Sequence, residues 1–116
     1  MVGFLPAPHQ GIYSATKHAL EGYSESLDHE VRQFGIRVSV IEPGFTRTEI
    51  DKNAQTTHQR LDAYDTERGR LLDAIKVNNA GGQQPAAVAS VVLRSLSSKP
   101  PQARYVVGPG ARSWSA

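Results

Sequence analysis

A β-branched run from Ile36 to Ile41, standing directly behind a long helical pattern and stopped by Pro43-Gly44, constrains this chain more than any other stretch of it. Leu20, Leu27, Val31 and Phe34 recur at the spacing of one helix face, so the pattern predicts a helix over 13–34. Gly35 ends it, because glycine readily takes the left-handed conformation that closes a helix. Ile36 to Ile41 then reads as a buried strand, and proline followed by glycine forces a sharp exit. The region 36–48 is therefore a strand with its turn, which places backbone groups of Phe45 and Thr46 at the strand's C-terminal end. On the helix itself Ala15, Ala19, Gly22 and Ser26 make a stripe of small residues that permits close approach of another helix.

Near the start of that helix Tyr13 and Lys17 lie four residues apart and share a face, which lets the ammonium stand beside the phenol. A unit charge ~4 Å away at intermediate dielectric is worth ~4 kcal/mol, and it favours release of the phenolic proton. The pair is an acid-base candidate able to trade a proton with an alcohol or a carbonyl. Taken alone, it reads more simply as an aromatic ring packed below a solvated lysine. Ser14 points about 100° away around the helix and reads as an ordinary helix serine. Asp28 and Arg32, also four apart, read as a surface pair worth a few tenths of a kcal/mol.

Composition narrows the function classes. With 116 residues and 39% hydrophobic content the chain is one small domain, whose buried fraction is modest. Thirteen basic and eleven acidic side chains are mixed along it, and a net charge of +2 does not make a nucleic-acid surface. There are no cysteines, which excludes disulfides and thiolate metal sites and fits a reducing, cytoplasmic setting. Met1 to Leu5 is too short for a signal peptide, and no apolar run is long enough to span a membrane. His9, His18, His29 and His58 show no metal-ligand spacing. His9 and Gln10 precede Tyr13 and border either a substrate pocket or a plain surface loop; His18 reads as structural or exposed.

The order Tyr13-Ser14-Ala15-Thr16-Lys17-His18-Ala19, then a strand, then Glu42-Pro43-Gly44-Phe45-Thr46-Arg47-Thr48 resembles the C-terminal half of the short-chain dehydrogenase/reductase family, with its Tyr-x-x-x-Lys helix and later Pro-Gly-x-x-x-Thr turn. Gly3-Phe4-Leu5-Pro6 and Arg104-Tyr105-Val106-Val107-Gly108-Pro109 resemble other segments of that family, so the likeness covers nearly the whole chain. It implies an α/β fold, the C-terminal part of a Rossmann-like doubly wound parallel sheet with about two strands and three helices, as one partial domain over 1–116. Within it, 49–79 corresponds to the mobile substrate lid and 85–107 to the last helix and strand, with Pro85 in the helix's first turn and Lys99-Pro100-Pro101 after its end.

The same likeness implies an NAD(P)-dependent oxidoreductase acting on an alcohol or ketone. Tyr13 would donate the proton, while Lys17 would assist it and hold the cofactor ribose. Pro43, Gly44, Phe45 and Thr46 would lie against the nicotinamide ring, and Thr48 would bond its carboxamide or a nearby phosphate. The cofactor is NAD or NADP, and the run Gly3 to Arg32 most resembles members acting on lipophilic alcohols such as retinoids and steroids. The family's long helix forms part of a dimer interface, so a homo-oligomer of the full-length form is expected.

Two features depart from the family pattern. Its proteins open with a strand, a Gly-rich turn and a helix that hold the pyrophosphate, and its catalytic serine would fall just before Met1. The isolated chain is therefore expected to be an inactive truncated form, with an alternative role as a partner that binds intact protomers through the small-residue helix. Asn78-Asn79-Ala80-Gly81 copies a family signature in the wrong place and reads as a helix stop after Leu71 to Val77. Gly108-Pro109-Gly110-Ala111-Arg112-Ser113 lacks the third glycine and the following helix of a dinucleotide fingerprint, and reads as a loop.

Overall fold

The computed structural model describes residues 8–54 and 59–108. The readings of Gly3 to Pro6, His58 and Pro109 to Ser113 lie outside the described residues. Helix α1 runs Gly11–Val31 and continues as a 3-10 turn Arg32–Phe34; β1 is Val40–Pro43; α2 is Ile50–Asn53; a second 3-10 turn, Asp62–Tyr64, leads into α3, Asp65–Ala80; α4 is Pro85–Ser97 and β2 is Arg104–Val107. The strands pair in parallel, from Val40 opposite Arg104 to Pro43 opposite Val107. Two parallel strands and three long helices form the mixed α/β arrangement of a partial Rossmann-like fold.

Gly35 closes the first helix at φ 78°, its N–H bonded to Arg32 O at 3.0 Å. The strand starts later than the apolar run predicts, at Val40 rather than Ile36. Parallel pairing needs a neighbour, and β2 reaches only from Arg104, so Ile36 to Ser39 enters as unpaired backbone. Pro43 is tolerated inside β1 because N–H groups of alternate residues are directed at β2, among them Val40, to Ala103 O, and Gly44, to Val107 O, each at 2.8 Å, and position 43 falls between them. Val91, Tyr105 and Val107 form the buried apolar cluster, with Ile41 and Val88 packed against it. The radius of gyration is 16.6 Å, against ~13 Å for a compact domain of this length.

Helix α1 meets the sheet through charge. Its small-residue stripe, Ala15, Ala19, Gly22 and Ser26, is exposed, as are Leu20 at 53% and Phe34 at 73%; Ser14 and Asp28 are buried instead. The stripe thus has no helix against it among the described residues, because the side of α1 turned inward carries Ser14, Glu21, Ser24 and Asp28, with Leu27 and Val31 half-buried among them. Asp28 does pair with Arg32, at 2.7 Å, but not as a surface pair. The same carboxylate takes Arg37 Nε at 2.9 Å, Arg37 Nη2 at 3.2 Å and the Val38 N–H at 2.8 Å, pinning the end of α1 to the backbone that feeds β1. One strand over, Arg104 reaches Glu21 at 3.3 Å, Glu25 at 3.0 Å and Glu42 at 3.4 Å, joining α1, β1 and β2.

The two buried carboxylates are shifted in opposite directions. The Arg37 bond, followed by the Val38 N–H and Arg32, holds Asp28 far below the usual carboxylate range. Burial, reinforced by the charge of Glu21 and opposed by Arg104, pushes Glu42 up. An acid with a depressed folded pKa stabilises the fold above its unfolded value and loses that contribution as pH falls; one with a raised pKa costs stability while ionised and regains it on protonation. Asp28→Asn should therefore lower the urea midpoint at pH 7, with the deficit shrinking below about pH 4, the ordinary carboxylate range. Glu42→Gln should raise the midpoint at pH 7, since Arg104 keeps Glu21 and Glu25, and the gain should vanish as pH falls through the raised Glu42 titration. Urea denaturation from pH 7.5 to 3 checks both; midpoints equal to the parent at every pH would contradict the opposed shifts.

Candidate active site

Tyr13 and Lys17 come together at the start of α1. The Lys17 ammonium lies over the Tyr13 ring, 5.4 Å from its centroid, so the contact is through the ring face. Tyr13 is 45% exposed, leaving its ring open to solvent, and its carbonyl accepts Thr16 Oγ1 at 2.7 Å. Ser14, read from sequence as ordinary, is buried, and its Oγ has no hydrogen-bond partner among the described residues; its carbonyl accepts His18 Nδ1 at 2.8 Å. His9 adopts φ 59° and packs edge-to-face on Tyr64, centroids 6.0 Å apart. That contact brings the approach to α1 against the entry of α3, the region read from sequence as a lid.

The Pro-Gly turn is the second group. Gly44 N–H still bonds β2, through Val107 O, but the chain then leaves the sheet and pairs with the connector between α3 and α4. Arg47 N–H donates to Gln83 O at 2.9 Å and Gln83 N–H to Phe45 O at 3.0 Å, a parallel bridge between Thr46 and Gln83. Thr46 Oγ1 donates to Gly44 O at 3.0 Å, folding the turn on itself. Helix α3 ends at Ala80 as its Asn-Gly ending predicts, although Gly81 keeps a right-handed φ of −83°. A cleft of about 200 Å³ opens beside the turn, lined by Gly44, Phe45, Asn78, Gly82, Gln83 and Gly108 among others.

The structure thus places Tyr13 and Lys17 in one contact and Gly44, Phe45 and Thr46 in a second, with Pro43 closing β1. Thr48 is exposed in the irregular segment between the turn and α2. Gln83 is the residue that sequence reasoning missed; its one local mark is its place between Gly81-Gly82 and Pro85. No helix among the described residues is long and apolar enough to cross a membrane.

Comparison with known proteins gives the family of the chain. The short chain dehydrogenase family model matches residues 1–59, which carry the Tyr13–Lys17 helix and the Pro-Gly turn. A 3-ketodihydrosphingosine reductase of Bacteroides thetaiotaomicron is 36% identical over 110 residues, covering 92% of this chain and 40% of the relative. An NADPH-dependent 3-dehydrocapnine reductase of Ornithobacterium rhinotracheale is 35% identical over 111 residues, covering 92% and 38%. An uncharacterized oxidoreductase of Schizosaccharomyces pombe is 30% identical over 114 residues, covering 98% and 48%. The chain belongs to the short-chain dehydrogenase family, and it spans less than half the length of these relatives.

Proposed function

We propose that these residues are the proton-handling and substrate-facing part of an NAD(P)-dependent oxidoreductase that interconverts an alcohol and a ketone. The observation that carries the reading is the Tyr13–Lys17 contact on a solvent-open helix start, in a chain whose sheet ends in the Pro43–Thr46 turn. In the reducing direction Tyr13 Oη gives its proton to the carbonyl oxygen, and the adjacent Lys17 charge stabilises the phenolate left behind. A bound nicotinamide cofactor supplies the hydride. Lys17, an exposed residue whose ammonium lies over the ring, would hold the ribose, and Pro43, Gly44, Phe45 and Thr46 would border the nicotinamide, with Thr48 at its carboxamide or a phosphate. The nicotinamide portion fits here because Gly44 offers backbone without a side chain at the cleft wall. The described residues hold no Gly-rich turn opening a helix, so the pyrophosphate is held elsewhere.

Two relatives are named as reductases of 3-keto or 3-dehydro compounds, which supports a ketone substrate, and dihydrosphingosine supports a lipophilic one. One is named NADPH-dependent; for this chain NAD and NADP both stay within the proposal. The lack of cysteines supports a cytoplasmic location. Joined to a cofactor-binding half of the same family, Tyr13→Phe should lower kcat by ~100-fold or more while cofactor affinity stays within about twofold, since the ring that Lys17 covers is retained. Lys17→Met should weaken cofactor binding as well as turnover. Undiminished turnover by the Tyr13→Phe form would refute the role.

A second reading, a truncated form that binds intact protomers, is supported by the exposure of Ile12, Leu20, Tyr23, Phe34 and Ile36 on and after α1, and by an apolar cluster of only three buried residues among those described. Such surfaces associate. Light scattering on the purified 116 residues should show dimers or larger species; a monodisperse monomer with a sharp unfolding transition would set this reading aside.

A further inference from the structure

We propose that Gln83 is the positioning residue of the Pro43–Thr46 turn; the inference rests on the reading that this turn borders the nicotinamide, and it names the group that holds it there. The sheet itself cannot do so. Gly44 makes the last N–H bond to β2, at Val107 O, and from Phe45 onward the chain has left the ladder. The next three residues are held by Gln83. Its main chain accepts from Arg47 N–H and donates to Phe45 O, and its carboxamide spans the gap, Nε2 donating to Val107 O at 3.2 Å and approaching Thr46 Oγ1 at 3.4 Å. One side chain thus bridges the end of β2 and the hydroxyl at the turn's centre.

The neighbouring glycines support this reading independently. A Cβ at Gly82 would lie 2.8 Å from both the carbonyl carbon and oxygen of Phe45, so the connector approaches the turn as closely as backbone allows. Gly108 has φ 102°, and a Cβ there would lie 2.8 Å from Gln83 Oε1. Both spaces are kept clear for the same contact. Gly82 N–H bonds the carbonyl of Asn79, buried in the last turn of α3, so Gln83 also makes the turn respond to the end of the lid helix. A shift of α3 would reach the nicotinamide-facing backbone through this connector.

The test reads the turn and not turnover, which separates it from failure of the proposed activity. Amide hydrogen exchange and NMR shifts of Gly44, Thr46 and Arg47 are followed in the 116-residue chain, with the Val38 amide, bonded to Asp28, as the reference for the rest of the fold. Gln83→Met fills similar space but offers no donor; Arg47 exchange should quicken about tenfold, the scale of one hydrogen bond, with Val38 unchanged. Gln83→Glu should loosen the turn equally at pH 7.5, where a carboxylate would face Val107 O, and recover parental exchange as pH falls and the carboxyl regains a proton to donate. A space-filling role would leave Gln83→Met silent and Gln83→Glu without pH dependence. Either result, or equal acceleration at Val38, would overturn the proposal.

Discussion

Asp28 is the group on which the arrangement depends. It is a buried carboxylate in the last turns of α1, and it satisfies both guanidinium groups and the one main-chain N–H that surround it. A charge taken out of water is costly unless fully paired, so this contact is stable in one geometry and punishing in others. That geometry fixes the C-terminal end of α1 against the backbone that becomes β1. Arg104 repeats the device further along, with Glu21 and Glu25 on the helix and Glu42 on the strand. Between helix and sheet there is accordingly an ionic seam where a larger domain would place apolar side chains.

That seam sets the position of the strand end. With β1 seated beside β2, the Pro-Gly turn emerges at the C-terminal edge of a parallel sheet, where open α/β folds bind ligands. The turn then leaves the sheet and is carried by the α3–α4 connector. The Gln83 connector therefore flanks the strand end, while α1 is tied to the sheet through Glu21, Glu25 and Asp28. At the other end, Tyr64 before α3 touches His9, in the approach to α1.

Much of this was legible because it is local. Gly35 stops a helix whatever lies around it, Pro85 opens one, and the spacing of Tyr13, Lys17, Pro43 and Gly44 carries the family. What was not legible depends on neighbours. Ile36 to Ser39 has strand composition but no strand beside it, so pairing begins at Val40. Asp28 and Arg32 form the helical pair their spacing predicts, yet the burial and the Arg37 contact arise only when the chain turns at Gly35. Of the apolar pattern Leu20, Leu27, Val31 and Phe34, the middle two are half-buried, whereas the charged seam leaves Leu20 and Phe34 exposed. Gln83 carries no chemical signature; its role comes from where two glycines let the backbone pass.

We propose a division of labour in which these residues would handle the proton and border the nicotinamide, and a Gly-rich turn outside the described residues would hold the pyrophosphate. Calorimetric titration of the 116-residue chain with NADH and with NADPH tests it most directly. The account predicts no saturable binding of either in the micromolar range, because a ribose contact at Lys17 and a turn at Pro43–Thr46 leave the dinucleotide's main charge unheld. Micromolar binding of either cofactor by the chain alone would contradict it.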